Sequence, residues 1–279
     1  MKRVGQENGF TLIELLVVIA VVGMLAALLL PALSISKHHG SDLNCVSNLK
    51  QVTSAGLMYL DDAKQGMLEC DTYGNIQWMG RLLPYGCTSK LLLCPVTHLP
   101  TVVGKSGGFT AGTASSSWYA WPDTCSSPFN GSYSMNGWFF SYDPNITNVS
   151  GWISPPPTPV VKNPQFVFNK PTWVQRPAQT PLFNDAVYMD EWPLESDPPA
   201  PDLSTGAYNN IMGMPRCTIW RHGGTTAVAR TPPGHSTTPP YFTFPGSAAI
   251  NIGFDDGHAQ QVKLKDLWQL NWHQNWGSD

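Results

Sequence analysis

Residues 9–33, GFTLIELLVVIAVVGMLAALLLPAL, are an apolar run of about two dozen residues broken by one carboxylate, Glu14. A run of that length crosses a hydrocarbon core as a helix, so the start of the chain is constrained before the rest is read. An acidic residue within such a helix costs roughly 2.5 to 3.5 kcal/mol at mid-membrane unless a positive charge compensates it. Cutting the chain after Gly9 would create that charge, because the new amino group on Phe10 lies one helical turn from Glu14, in the same subunit or a neighbouring one. A secretory signal has an apolar core of about 7 to 15 residues followed by a small-residue cleavage site. This core is longer and holds an acid. A plain signal anchor accounts for the length and for the basic flank of Lys2 and Arg3, which favours a cytoplasmic N-terminus, but not for Glu14 or the GFTLIE string.

Gly9, Phe10, Thr11, Leu12, Ile13 and Glu14, preceded by that short basic leader, resemble the processing site of type IV prepilins and type II secretion pseudopilins. The resemblance implies that a membrane-embedded prepilin peptidase cuts between Gly9 and Phe10 and that Phe10 becomes N-methylated. It also implies that Glu14 pairs with a subunit's N-terminal amine during assembly. The partners it implies are the prepilin peptidase, the inner membrane and other pilin or pseudopilin subunits. The implied location is a single-pass inner-membrane protein with its head in the periplasm, or in an extracellular filament after assembly.

Charged residues make up 13% of the 279 and the net charge is −3, so no basic surface argues for nucleic acid. Proline and glycine number 25 each, above the usual share but below the level of disordered chains; with 11 Trp, loops over an aromatic core are expected. The six cysteines, Cys45, Cys70, Cys87, Cys94, Cys125 and Cys217, all follow the apolar run. In an oxidising compartment they allow fifteen complete pairings, among which sequence does not choose. Cys87 and Cys94 lie close enough in the chain for a small loop, and their spacing is not that of a zinc site.

Beyond Ser34, Cys45, Leu49, Val52, Gly56 and Tyr59 recur at intervals of four and three, one buried helical stripe. A helix from Phe10 to about Asp62 would be roughly 80 Å long, with Pro31 expected to kink or loosen it. After Gly66 short apolar stretches alternate with Pro, Gly, Asn and Ser, which favours strands and loops. Strands are expected at 165–168, 181–189, 217–221, 226–230, 249–254 and 258–264, and a short helix over 76–86 ending at Pro84. Residues 154–164 and 231–240, rich in proline, read as loops. Leu264, Trp268, Trp272 and Trp276 stand four apart and would line one side of a terminal helix, facing the core or else a sugar-binding or partner surface.

The expected fold is α+β. A long N-terminal helix, first transmembrane and then amphipathic, packs on a C-terminal antiparallel β-rich head with long loops. Its divisions are a leader at 1–9, a transmembrane part at 10–33, an amphipathic continuation at 34–63 and a head at 64–279.

Arg221-His222-Gly223-Gly224 and NIGFDDGHAQQVKL carry the remaining chemistry. They resemble a C-terminal processing-associated domain with a His, nine residues and Asp-Gly signature, in which His222, Asp256 and Gly257 would be the signature residues. Here 33 residues separate His222 from Asp256, a departure from that spacing. Read as residues, Asp256-Gly257 suggests a hairpin turn of type I′, with His222 on an adjacent strand and bonded to it. The sharper alternative is calcium, for which Asp185, Asp190, Asp255 and Asp256 supply hard oxygen ligands. No EF-hand, nucleophile elbow, Walker loop or HExxH string is present, and the chain is not expected to be an enzyme. The expected function is that of a structural pseudopilin or pilin-like subunit assembled into a type II secretion or type IV pilus-related filament. The alternative is an adhesin-like minor pilin that binds polysaccharide or secreted cargo.

Overall fold

The computed structural model describes residues 11–62, 68–69, 78–100, 109–120, 128–141, 162–168, 170–207, 212–223 and 244–277. Contacts divide the chain into two units, Met1–Gly40 and Ser41–Asp279.

The first unit carries the start of helix α1, Leu12–Asp62. Thr11 caps it: Thr11 Oγ1 accepts from Glu14 N at 3.3 Å, while Glu14 Oε2 accepts from Thr11 N at 2.9 Å and from Thr11 Oγ1 at 2.7 Å. This is a capping box, in which two otherwise orphaned donors of the first turn are satisfied reciprocally. The 19 residues Leu12–Leu30 are long and apolar enough to cross a membrane, and none of them is buried. Leu15, Val18, Val22, Leu25 and Leu29 leave a continuous apolar surface open, which demands lipid or protein cover. Helical backbone continues through Pro31 and Gly40; Pro31 withdraws one donor from the ladder without ending the helix.

In the second unit the expected stripe is present. Cys45, Leu49, Val52, Ala55, Gly56 and Leu60 are buried and Tyr59 is half-buried. The strands that follow are β1 (Leu68–Glu69), β2 (Phe109–Thr110), β3 (Trp118–Ala120), β4 (Phe129–Gly131), β5 (Tyr133–Asn136), β6 (Phe140–Ser141), β7 (Pro181–Asp185), β8 (Asp190–Glu191), β9 (Ala249–Phe254) and β10 (Ala259–Lys263). Five form the main sheet, in the order β10-β9-β7-β5-β8.

The sheet is mixed, where an antiparallel one was expected. The pairs β10–β9, β9–β7 and β7–β5 are antiparallel but β5–β8 is parallel, and β1–β6 is a second parallel pair. The cause is local: residues 186–189 round the start of β5, with Ala186 N donating to Ser132 O at 3.0 Å and Met135 N to Met189 O at 3.0 Å. The chain that leaves one side of β5 therefore returns on the other.

Two glycines bring α1 close to the sheet. A Cβ at Gly56 would meet the Phe183 ring at 2.6 Å, and one at Gly253 would meet Thr53 Oγ1 at 1.9 Å. On β9, Ile250, Ile252 and Phe254 enter a second apolar cluster with Leu264, Leu267 and Trp272, so the strand is buried on both faces and reads as a nearly continuous apolar word.

Other elements differ from expectation. Residues Pro164–Phe166 form a 3-10 turn where a strand was expected, since Pro164 presets the turn dihedral and offers no ladder donor. Residues 217–221 form no strand and lead to a single antiparallel bridge, His222 to Ala249. Of the 181–189 stretch only β7, Pro181–Asp185, is a strand, with β8 following beyond it at Asp190–Glu191, and the 226–230 strand lies outside the described residues. The short helix is α2, Trp78–Arg81, followed by a 3-10 turn at Leu83–Tyr85.

The terminal helix is a 3-10 turn, Leu264–Gln269. Its continuation fails because the carbonyls and amides that an α-helix would use are engaged elsewhere. Trp272 Nε1 donates to Leu267 O at 2.8 Å and Trp276 Nε1 to Trp268 O at 3.1 Å, while Asn271 N donates to Gln179 O at 2.9 Å. Leu264 and Trp272 are nevertheless buried, with Trp268 and Trp276 packed against the same cluster.

Candidate functional site

A chain with so few charges places several of them in its interior. Asp185, the last residue of β7, is fully buried. Its Oδ1 is 3.0 Å from Arg221 Nη1, its Oδ2 is 3.1 Å from His222 Nε2, and Oδ2 also accepts from Asn251 N at 2.7 Å. Burial would raise the Asp185 pKa, but the charges of His222 and Arg221 and these hydrogen bonds hold it below the ordinary value.

Arg221, itself buried, is satisfied by carbonyls from several segments. Nη2 donates to Thr113 O at 2.8 Å and to Ala186 O at 3.1 Å, Nε donates to Ala114 O at 3.3 Å, and Nη1 donates to Ser132 O. One guanidinium thus joins the loop at 113–114, the entry to β5 and the end of β7.

His222 continues the network to α1. Its Nδ1 is 2.7 Å from Asp42 Oδ1, and Asn251 on β9 approaches Nε2 at 2.9 Å. Burial alone would lower the His222 pKa, yet Asp185 and Asp42 together outweigh it and raise it. An imidazolium donates from both nitrogens, which suits a ring held between two carboxylates. Asn251 Oδ1 is buried without a partner; turning the amide over presents that oxygen to the Nε2 proton, the arrangement that a charged ring favours. Gly223 follows with φ 80, and a Cβ there would meet Ser247 O at 1.6 Å. Only glycine fits beside the bridge.

The disulfide Cys45–Cys94 lies alongside, with Cys94 Sγ 3.5 Å from His222 Nε2. It closes a separation of 49 residues, worth about 4 kcal/mol in the chain-entropy account. Cys87 and Cys217 are free and buried, so the small Cys87–Cys94 loop does not form. Cys70 and Cys125 lie outside the described residues.

The signature residues are separated. His222 pairs with Ala249 at one end of β9, while Asp256 and Gly257 lie beyond the other end, in the hairpin to β10. That hairpin is a three-residue loop rather than a two-residue type I′ turn: Phe254 N donates to His258 O at 2.9 Å, Gly257 N to Phe254 O at 2.9 Å, and Gly257 takes φ 89. Asp256 accepts from His258 N at 3.1 Å and contacts the His258 ring, so its hydrogen-bond partner is His258 and not His222.

The four aspartates sit in different surroundings. Asp185 is held by Arg221 and His222, and Asp190 by Arg216, whose Nη1 is 2.7 Å from Asp190 Oδ1. Burial and the charge of Asp256 push Asp255 up to about 6, and Asp256 faces His258. Among the described residues, the group of three potential ligands that does converge is Cys45, Cys94 and His222, whose sulfurs are joined to each other. Gly9 and Phe10 lie outside the described residues, and Glu14 is in the capped first turn of α1.

Glu191 on β8 is completely buried, and burial pushes its carboxyl up to about 8 against smaller opposing pulls from Asn184 and Arg216. The folded pKa exceeds the ordinary 4.5, so the folded state keeps a proton that the unfolded chain releases. This contribution to stability is fully present below 4.5 and is lost as pH rises through about 8, on the order of a few kcal/mol. Asp197, pushed up by burial to about 6, acts with the same sign. We expect the head's thermal midpoint to fall between about pH 5 and pH 8.5 and Glu191→Gln to flatten that fall; an unchanged slope in the variant would remove Glu191 as the titrating group.

Sequence reading named Arg221 beside His222 without assigning it a role, and singled out neither Asp42 nor Asn251. The available signal was Asn251 inside AINIGF, a polar residue in an otherwise apolar strand, because buried amides require partners.

Residues 5–30 match the family described as the prokaryotic N-terminal methylation motif. The match, together with the apolar span Leu12–Leu30, supports a type IV pilin-like or pseudopilin-like precursor with a single-pass membrane anchor. No curated protein and no solved structure matches the chain.

Proposed function

We propose that this chain is a prepilin-type subunit, cut after Gly9, methylated on Phe10 and assembled by its N-terminal helix into a type II secretion or type IV pilus-related filament. The observation that carries the reading is the methylation motif over residues 5–30, with Glu14 as the acid inside its apolar helix. An uncovered apolar helix suits both stages: lipid covers it before extraction, and neighbouring helices cover it afterwards. In this reading the head is the outer face of the filament and the role is mechanical. Burial and internal pairing of His222, Asp185 and Arg221 support a structural use of these groups and not a catalytic one, since a catalytic acid or base must reach substrate.

The test is the mass and N-terminal sequence of the protein extracted from membranes of its native host. The expected chain begins at Phe10 with one added methyl group. A mature chain that retains Met1, or one cut near Ala26 and Ala27, would overturn the proposal.

A further inference from the structure

The C-terminal turn Leu264–Gln269 and the residues after it form one wall of an open cleft of about 530 Å³, and residues 173–180 contribute the other. The volume is that of a small-ligand site. Three indoles, Trp173, Trp268 and Trp276, share the lining with the carboxamides of Gln269, Asn271 and Gln274. Arg176 is the one guanidinium in the lining, and no carboxylate lines the cleft among the described residues.

Two of the three indoles are held before any ligand arrives. Trp268 Nε1 donates to Asp197 O at 3.2 Å and Trp276 Nε1 to Trp268 O at 3.1 Å, so both indole N–H groups are bonded inward and the rings cannot turn freely. Backbone bonds tie the walls to their surroundings: Asn271 N to Gln179 O at 2.9 Å and Gln274 N to Phe166 O at 3.1 Å. Trp173 ends a 3-10 turn, Pro171–Trp173, and is 37% exposed. Pre-organisation of this kind lowers the ordering cost of binding.

The chemistry of the lining selects the ligand class. A pyranose ring has an apolar face of C–H bonds and a rim of hydroxyls that both donate and accept. Indole faces complement the first, and carboxamides, each with a donor and an acceptor, complement the second. A purely apolar ligand would strip water from the amides without replacing their hydrogen bonds, and a polyanion would require more cations than Arg176 supplies. We infer that this cleft binds a segment of neutral oligosaccharide, with sugar rings against the indoles and hydroxyls on Gln269 and Asn271. The inference does not depend on the filament role, but in an assembled subunit it would give the head a polysaccharide contact.

The experiment uses the full chain in a detergent without a sugar headgroup. It is titrated by calorimetry and tryptophan fluorescence with maltohexaose, cellohexaose, mannohexaose and chitohexaose, and with a hexagalacturonate as the acidic comparison. The expected result is saturable binding of at least one neutral hexasaccharide, weakened about tenfold or more by Trp173→Ala and by Gln269→Ala. Both residues are exposed, and an unchanged melting temperature in each variant separates lost contact from lost fold. No binding of any neutral sugar at about 10 mM, binding of the acidic sugar alone, or affinity unchanged in both variants would overturn the site. Intact mass of Trp173→Ala should still show a chain starting at Phe10, so failure here is distinguishable from failure of the processing proposal.

Discussion

Replacing Asp185 with alanine should destabilise the head by about 3–5 kcal/mol, the usual cost of breaking a buried ion pair from one side. The substitution leaves Arg221 and His222 in the interior without the carboxylate that faces both, and leaves Asn251 N without its acceptor. Arg221 keeps its carbonyl partners, but these are dipoles and do not neutralise its charge. His222 loses one of the two anions that raise its pKa, which should therefore fall. The pH dependence follows from the signs. The depressed pKa of Asp185 contributes stability that is present above the unfolded carboxylate value and lost as pH falls through the folded one; the raised pKa of His222 contributes stability lost as pH rises through its folded value. The measurement is denaturant or thermal unfolding of the full chain in detergent, followed by tryptophan fluorescence. Adding Arg221→Met to Asp185→Ala should recover part of the loss, because it removes the stranded charge. A loss below about 1 kcal/mol in the single variant, or no recovery in the double variant, would mean that the network does not hold the head together.

Glu14→Ala should abolish incorporation of the subunit into filaments while leaving membrane insertion and leader removal intact. The carboxylate lies beyond the proposed scissile bond, and its removal makes the helix more apolar, so insertion gains. Both bonds that Thr11 gives to Glu14 fall on Oε2; among the described residues Oε1 receives none, and an ammonium on Phe10 of the same or a neighbouring subunit is a partner of the right charge. That ammonium exists only after cleavage, which would make assembly wait for processing. The capping box supplies the control. Thr11→Ala removes the cap, worth about 1 kcal/mol, but keeps the carboxylate, so incorporation should survive in that variant and fail in Glu14→Ala. Recovery in sheared filaments or cross-linked oligomers reads incorporation, and gel mobility reads processing. Equal incorporation of Glu14→Ala and wild type would show that the acid serves only the helix cap and would reopen the signal-anchor reading.

Local rules made several elements legible in advance. The stripe Cys45, Leu49, Val52 and Gly56 could be read because one face of a helix repeats every three to four residues, and that face is buried. Strands β9 and β10 could be read because AINIGF and AQQVK flank an Asp-Gly turn. Where expectation failed, a distant partner decided. The terminal tryptophans have helical spacing, but Asn271 N, which a continuing helix would bond to Leu267 O, donates instead to Gln179 O, and a tight turn results. The partners of Asp185 and Asp190, Arg221 and Arg216, could not be read either, since neither arginine is near its aspartate in the chain.

The sequence alone determined the apolar N-terminal helix, its acid at Glu14, the amphipathic continuation to Asp62 and the α+β class, because each depends on residues within a few positions of one another. Only the tertiary structure decided which cysteines join, that His222 pairs with Asp42, Asp185 and Asn251 and not with Asp256, and that the indoles of 173 and 268 line one cleft. The physical reason is that charge pairing, disulfide formation and cleft shape depend on distance in space, and one-dimensional spacing carries no record of which segments a mixed sheet brings together.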